Sequence, residues 1–158
     1  MSDDELKALL KAAQGRGFRE RRDEAIIRFL LDAGVRVSES CGLTIDREVE
    51  GTTIPGTLDL DSGSALVTGK RGKQRVVYFG ARTERALDRY LRVRRSPRWA
   101  HLDALFLTQR GAVSPDGVRD MLELRAGQAG RPIFCPGARM SPGSYLRRAR
   151  RTAGQTSP

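Results

Sequence analysis

One histidine and two cysteines stand in 158 residues, and that scarcity removes several kinds of chemistry at once. A metal site built on several histidines has no material here, since His101 stands alone. Cys41 and Cys135 show no metal-ligand spacing. Cys41 lies in an apolar helical stretch and reads as a small buried hydrophobe, and a reduced, cytoplasmic protein is the simplest reading. Long apolar runs are missing too. None approaches the roughly 18 residues of a membrane-spanning helix, and no basic segment followed by an apolar one opens the chain as a secretory signal would. No internal repeat is visible. The excess is in positive charge: 29 Lys+Arg against 19 Asp+Glu, a formal net charge of +10. Such a balance points to a polyanionic partner, with nucleic acid the usual one and a membrane the weaker candidate. Charge by itself leaves open a basic protein with no such partner. The length suits one domain, and a domain near this size buries about 68–70% of its unfolded surface, enough for a core without metals or disulfides.

In chain order, Ser2-Asp3-Asp4-Glu5 has the form of a capping box, and Leu6, Leu9 and Leu10 supply the apolar face of the helix it opens. Gly15-Arg16-Gly17 reads as a turn. Arg16, Arg19, Arg21 and Arg22 lead into a second helix, predicted over Asp23 to Asp32 from the recurrence of Ile26, Ile27, Phe29, Leu30 and Ala33. These arginines are either a solvated face or phosphate contacts, and Phe18 packs back on the core. Gly34 stops the helix. Ser38 is read as the N-cap of a short helix over Glu39 to Gly42, which puts Arg36 at an elbow between two helices. From spacing alone Arg36 is equally a surface arginine between buried neighbours or a functional one. After Asp46 the periodicity changes. The stretch REVEGTTIPGTLDLDSGS reads as loop with one or two short strands. Ala65–Thr68 and Arg75–Phe79 read as a β-hairpin around GKRGKQ, whose turn carries Lys70, Arg71 and Lys73.

Thr83 is read as capping a helix that runs to Arg95. Leu87, Tyr90 and Leu91 form its buried stripe, and Arg82, Arg85, Arg89, Arg92, Arg94 and Arg95 are read as a solvated face in preference to a groove reader. Trp99 and Leu102 are expected in or beside the core, and Leu105-Phe106-Leu107 is a short apolar run. Ser114-Pro115-Asp116 is an N-cap followed by proline at the first helical position, with Val118, Met121, Leu122 and Ala126 as the stripe of that last helix. From Arg131 onward the chain is rich in Pro, Gly, Arg and Ser and is expected to be an irregular, basic, disordered tail. Residues 1–130 and 131–158 are therefore the expected division.

Several of these segments resemble the tyrosine recombinases, the phage integrase family. GVRVSESCGLT is similar to the family's first arginine box, roughly T-G-(L/M)-R-(I/V)-S-E-L-x-x-L. ALVTGKRGKQRVVYF resembles the hairpin V-x-G-K-G-x-K-x-R-x-V-P. SDDELKALLKAA resembles the helix that opens the catalytic domain, and LFLTQRGAVSPDGVRDML the later segment LF-x-x-x-x-G-x-x-(S/T)-x-x-x-(I/V). The resemblance covers Ser2 to Gly130, with an apparent insertion near Val49 to Pro55. It implies an α+β fold, mostly helical with a small antiparallel β-sheet around the Lys70 hairpin. It implies DNA recombination and integration through a covalent phosphotyrosine, with double-stranded DNA as partner and no cofactor. On Arg36 falls the family's first phosphate-gripping arginine, and on Lys70 the lysine that acts as general acid toward the leaving oxygen. Arg71, Lys73 and Arg75 are the expected DNA contacts.

The sequence also departs from the family. Where H-x-x-R belongs, the chain reads SPGSYLRR, so that Arg147 takes the arginine's place and Ser144 the histidine's. No segment resembles the one that carries the terminal tyrosine nucleophile; Tyr78 and Tyr90 are expected in packing and Tyr145 in the tail. A catalytic domain cut at both ends and inactive alone is the resulting expectation. The alternatives are a basic nucleic-acid-binding module without chemistry, or a fragment that regulates a full-length recombinase.

Overall fold

The computed structural model describes residues 2–95 and 98–130. Helix α1 spans Asp3–Ala12, and the capping box that opens it is formed in both directions: Ser2 Oγ accepts from the Glu5 N–H, and Glu5 Oε2 accepts from the Ser2 N–H. Helix α2 spans Phe18–Ala33 and starts five residues before the predicted helix, at Phe18 and not Asp23. Its first turns carry charge on the inward face, where pairing replaces hydrophobicity. Asp23 and Glu24 are buried. Asp23 takes Arg22 at 2.7 Å and Arg125 at 2.8 Å, while Glu24 takes Arg28 at 2.9 Å and Arg89 at 3.2 Å. Gly34 ends α2 in the left-handed region, φ 60°, a conformation that costs glycine little.

Helix α3, Val37–Cys41, follows at once. Its N-cap is Arg36 and not Ser38, so it begins two residues earlier than the sequence suggests. The Glu39 carboxylate, at the third helical position, accepts the Arg36 backbone N–H and sets that start. Cys41 is partly buried, less than expected of a core hydrophobe, and burial raises its thiol pKa above the ordinary value.

Strands β1 (Arg47–Val49) and β2 (Thr52–Ile54) form an exposed hairpin. Its two-residue turn, Glu50-Gly51, has both φ angles positive, the turn whose twist suits paired strands. Strands β3 (Leu58–Asp59), β4 (Ser64–Thr68) and β5 (Gln74–Tyr78) make an antiparallel sheet in the order β3-β4-β5, with Val67 opposite Arg75 and Ala65 opposite Val77. Residues 47–59 thus carry three strands where one or two were expected.

Helix α4 spans Ala81–Arg94 and is capped by Gly80, three residues ahead of the expected cap, Thr83. Thr83 lies in its first turn, with its hydroxyl given to Asp32 of α2, whose carboxylate also takes the Gly80 N–H. Arg94 corrects the reading of a solvated face: it is 3% exposed. Its guanidinium donates to the carbonyls of Ala100, Leu102, Ala104 and Leu105, fixing the loop after α4. A short hairpin, β6 (Leu107–Thr108) with β7 (Gly111–Ala112), leads to α5 (Pro115–Gln128), whose Ser114 cap and first-turn proline are as expected.

The core lies where α2, α4, α5 and the inner face of the three-stranded sheet meet. Phe29 meets Phe79 with ring centres 5.7 Å apart, and Tyr90 lies between Phe18 at 5.8 Å and Phe106 at 5.7 Å. Ile26, Ile27, Leu43, Leu87, Leu105 and Val118 complete it. Among the described residues no helix is long and apolar enough to cross a membrane.

Candidate phosphate-binding site

The elbow between α2 and α3 presents Arg36. Val35 on one side is buried and Val37 on the other is partly buried, so the backbone is pinned while the Arg36 side chain stays 71% exposed. Beneath it sits Glu39, whose side chain is 2% exposed. Its carboxylate accepts the Arg36 N–H at 2.8 Å and one Arg36 guanidinium N–H at 3.3 Å. It also accepts Arg75 Nη2 at 2.9 Å. Arg75 reaches it from β5, so Glu39 ties the elbow to the sheet.

The neck of the β4–β5 hairpin closes against the same carboxylate. Gly69 lies so near that an added Cβ would stand 3.1 Å from Glu39 Oε1. The Gly69 N–H donates to the Lys73 carbonyl at 2.8 Å and shuts the turn. Residues 70–72 form a single tight turn in which Arg71 takes φ 61°, a left-handed conformation unusual for a side-chain-bearing residue. Lys70, Arg71 and Lys73 are exposed, and none of them has an ion pair among the described residues.

The Arg36 N–H holds the Glu39 carboxyl below its ordinary value. Burial opposes that shift, and the Arg75 and Arg36 charges support it. Glu39 is therefore an ionised, buried anchor. It occupies only part of each guanidinium, and the remaining N–H groups face solvent beside the hairpin cations. Two guanidinium forks next to a lysine-bearing turn can grip an anion with several oxygens, as phosphate has. Among the described residues the carboxylate at this site is Glu39, and its three hydrogen bonds commit it as an anchor and not as a general base.

The structure thus brings Arg36 and Arg75 onto one carboxylate and places the hairpin of Lys70, Arg71 and Lys73 against it. Glu39 is the residue that sequence reasoning missed. Its signal was its position three residues after Arg36, the reciprocal half of a capping box. Arg147 and Tyr145 lie outside the described residues, as does the whole expected tail 131–158.

Tyr78 corrects the expectation of packing. It is 71% exposed, and on β5 it has the opposite parity to Arg75, so the two point to opposite faces of the sheet. Tyr90 is buried, donates its hydroxyl to the Leu105 carbonyl and accepts the Leu107 N–H, and burial pushes its pKa up to about 12. His101 stands beside Trp99, ring centres 5.9 Å apart, in the loop between α4 and β6.

The model of the phage integrase family matches residues 1–155. Among curated proteins, the chain is 35% identical over 127 residues to tyrosine recombinase XerC of Thermodesulfovibrio yellowstonii, covering 77% of this chain and 38% of that protein. It is 38% identical over 91 residues to tyrosine recombinase XerD of Corynebacterium glutamicum, covering 57% of this chain and 27% of that one. Among solved structures, the XerA recombinase superposes with a TM-score of 0.67 at 28% identity, over 85% of this chain and 45% of that chain. The XerH site-specific recombinase bound to difH substrate, in its pre-cleavage complex, superposes with a TM-score of 0.63 at 22% identity, over 96% of this chain and 43% of that chain. The chain thus spans less than half the length of the curated relatives and solved chains it is compared with.

Proposed function

The chain belongs to the phage integrase family, and on that footing we propose that it is the phosphate-gripping part of a tyrosine-recombinase catalytic domain, acting in DNA recombination and integration on double-stranded DNA. The observation that carries the reading is the convergence on Glu39 of Arg36, Arg75 and the neck of the Lys70 hairpin. Strand exchange is phosphoryl transfer, in which the protein supplies position and charge more than covalent chemistry. Arg36 and Arg75 offer N–H groups to the non-bridging oxygens of one phosphate. Lys70, whose turn has no ion pair among the described residues, is proposed to give a proton to a departing sugar oxygen. Arg71 and Lys73 contact the neighbouring backbone. Loss of one preorganised donor from such a set costs about 10²–10³ in rate.

The nucleophile is not among these groups. Tyr78 points away from the Arg75 face and Tyr90 is locked in the core. Ser144 holds the histidine's place in the family pattern. Among the described residues no tyrosine reaches the site, and the expectation for the 158-residue chain tested by itself is DNA binding without cutting, with Tyr145, outside the described residues, as the tyrosine to test. The same observations suit the second reading, a fragment that regulates a full-length recombinase by holding its DNA. A nicked suicide duplex run on a denaturing gel, beside an anisotropy titration, tests this. The expected result is saturable binding with no denaturant-resistant band. A band that disappears in Tyr145→Phe would show a working nucleophile, and absence of DNA binding would refute the phosphate site itself.

A further inference from the structure

Four arginines of α4 form a surface that the Glu39 site does not use. Arg82, Arg85, Arg89 and Arg92 follow one another at steps of three, four and three residues, which on an α-helix confines them to an arc of about 80°. All four are exposed. The acidic residues of the helix, Glu84 and Asp88, lie on the adjoining arc, away from α2. The stripe borders α2, which adds to it: Arg21 donates to the Arg89 carbonyl at 3.3 Å, and Arg28 shares Glu24 with Arg89. Arg89 and Arg92 each have a carboxylate, Glu24 and Asp88, whereas Arg82 and Arg85 have none among the described residues.

Like charges at these spacings repel, and the helix gains nothing from them in isolation. An anion laid along the stripe removes that repulsion. Ten residues of helix rise about 15 Å, the axial length of about four phosphates on one strand of a duplex. Every cation in the stripe is arginine, whose fork suits phosphate oxygens better than a point charge does. The stripe begins beside Asp32, which caps α4 four residues ahead of Arg36, and runs back along α2 toward Arg21. We propose that α4 carries a second phosphate-binding surface, a track for the backbone of duplex DNA outside the Glu39 site. The proposal rests on the reading that this chain binds DNA.

The experiment measures anisotropy with a labelled duplex longer than two helical turns, over a range of salt, for the intact chain, Arg82→Gln/Arg85→Gln and Arg36→Ala/Lys70→Ala. Arg82 and Arg85 have no ion pair among the described residues, so the first variant is expected to keep its thermal midpoint; Arg82→Gln alone serves as the milder version. Each neutralised phosphate contributes about 0.9 to the slope of log K against log salt. The slope is therefore expected to fall by about 1.8 in Arg82→Gln/Arg85→Gln and by about 0.9 in the single variant. An unchanged slope there, with a reduced one in Arg36→Ala/Lys70→Ala, overturns the second surface and leaves the first. No binding by the intact chain removes both. Loss of polyglutamate binding without loss of DNA binding in Arg82→Gln/Arg85→Gln would assign the stripe to an acidic polypeptide and also overturn the proposal.

Discussion

Glu39 shows how a single carboxylate can organise cations it does not neutralise. Its side chain is 2% exposed, and it stays ionised because an N–H and two guanidiniums replace the water it lost. Its folded-state pKa lies below the ordinary 4.5. Between those two values the unfolded chain binds the extra proton, so the stabilisation is present at neutral pH and is lost as pH falls through the folded value. Glu39→Gln is expected to lower unfolding stability by about 1–2 kcal/mol at neutral pH, since solvent around the exposed Arg36 and half-exposed Arg75 discounts the ion pairs. Denaturant titrations at several pH values should show the gap to the intact chain closing below 4.5. A gap that stays constant down the acid range would mean that Glu39 anchors nothing. Arg36 and Lys70 were singled out because each falls in a segment that resembles a family motif; spacing alone left Arg36 open between a surface and a functional residue. The Glu39–Arg75 pair was not singled out, because it joins residues 36 apart in the chain through tertiary packing alone.

At the level of elements, helices hide buried charge from a reading that seeks apolar stripes. Arg94 stands four residues after Tyr90 and seven after Leu87, on their face of α4. Arg125 follows Met121 by four and Val118 by seven, on theirs. Both are buried, and both were masked by exposed arginines of the same type. The spacing was available; the residue type argued against using it. Asp23 belongs to the same class, and its pair with Arg125 locks α2 to α5. Asp23→Asn is expected to cost about 3 kcal/mol in urea unfolding, as breaking a buried pair leaves Arg125 uncompensated. A loss under about 0.5 kcal/mol would place that network at the surface in solution. Arg94→Met is expected to cost about 2–4 kcal/mol, because the loop carbonyls lose their donors. Arg95→Met, one residue on and exposed, should stay within about 0.5 kcal/mol. Equal effects at the two positions would contradict the burial of Arg94. Strand and turn positions were easier to read. The β4–β5 hairpin lies within a residue of its expected ends, since glycines flank short runs that carry the β-branched pairs Val67-Thr68 and Val76-Val77.

For the whole molecule, the formal charge of +10 gains meaning only from where the cations stand. One group surrounds a buried carboxylate at the elbow and hairpin; another runs along α4. The α+β fold was legible because helix stripes, caps and one hairpin each announce themselves locally. The joining of elbow to sheet, which makes the site, required the fold. The most direct measurement of that claim is a two-dimensional amide NMR titration of the chain with duplex DNA. The expected result is that the amides of Arg36, Glu39, Gly69 and Lys70 shift together along one saturation curve, with Arg36→Ala weakening all of them. Shifts that spare these four amides, or that saturate at separate concentrations, would contradict a single phosphate site at the elbow and hairpin.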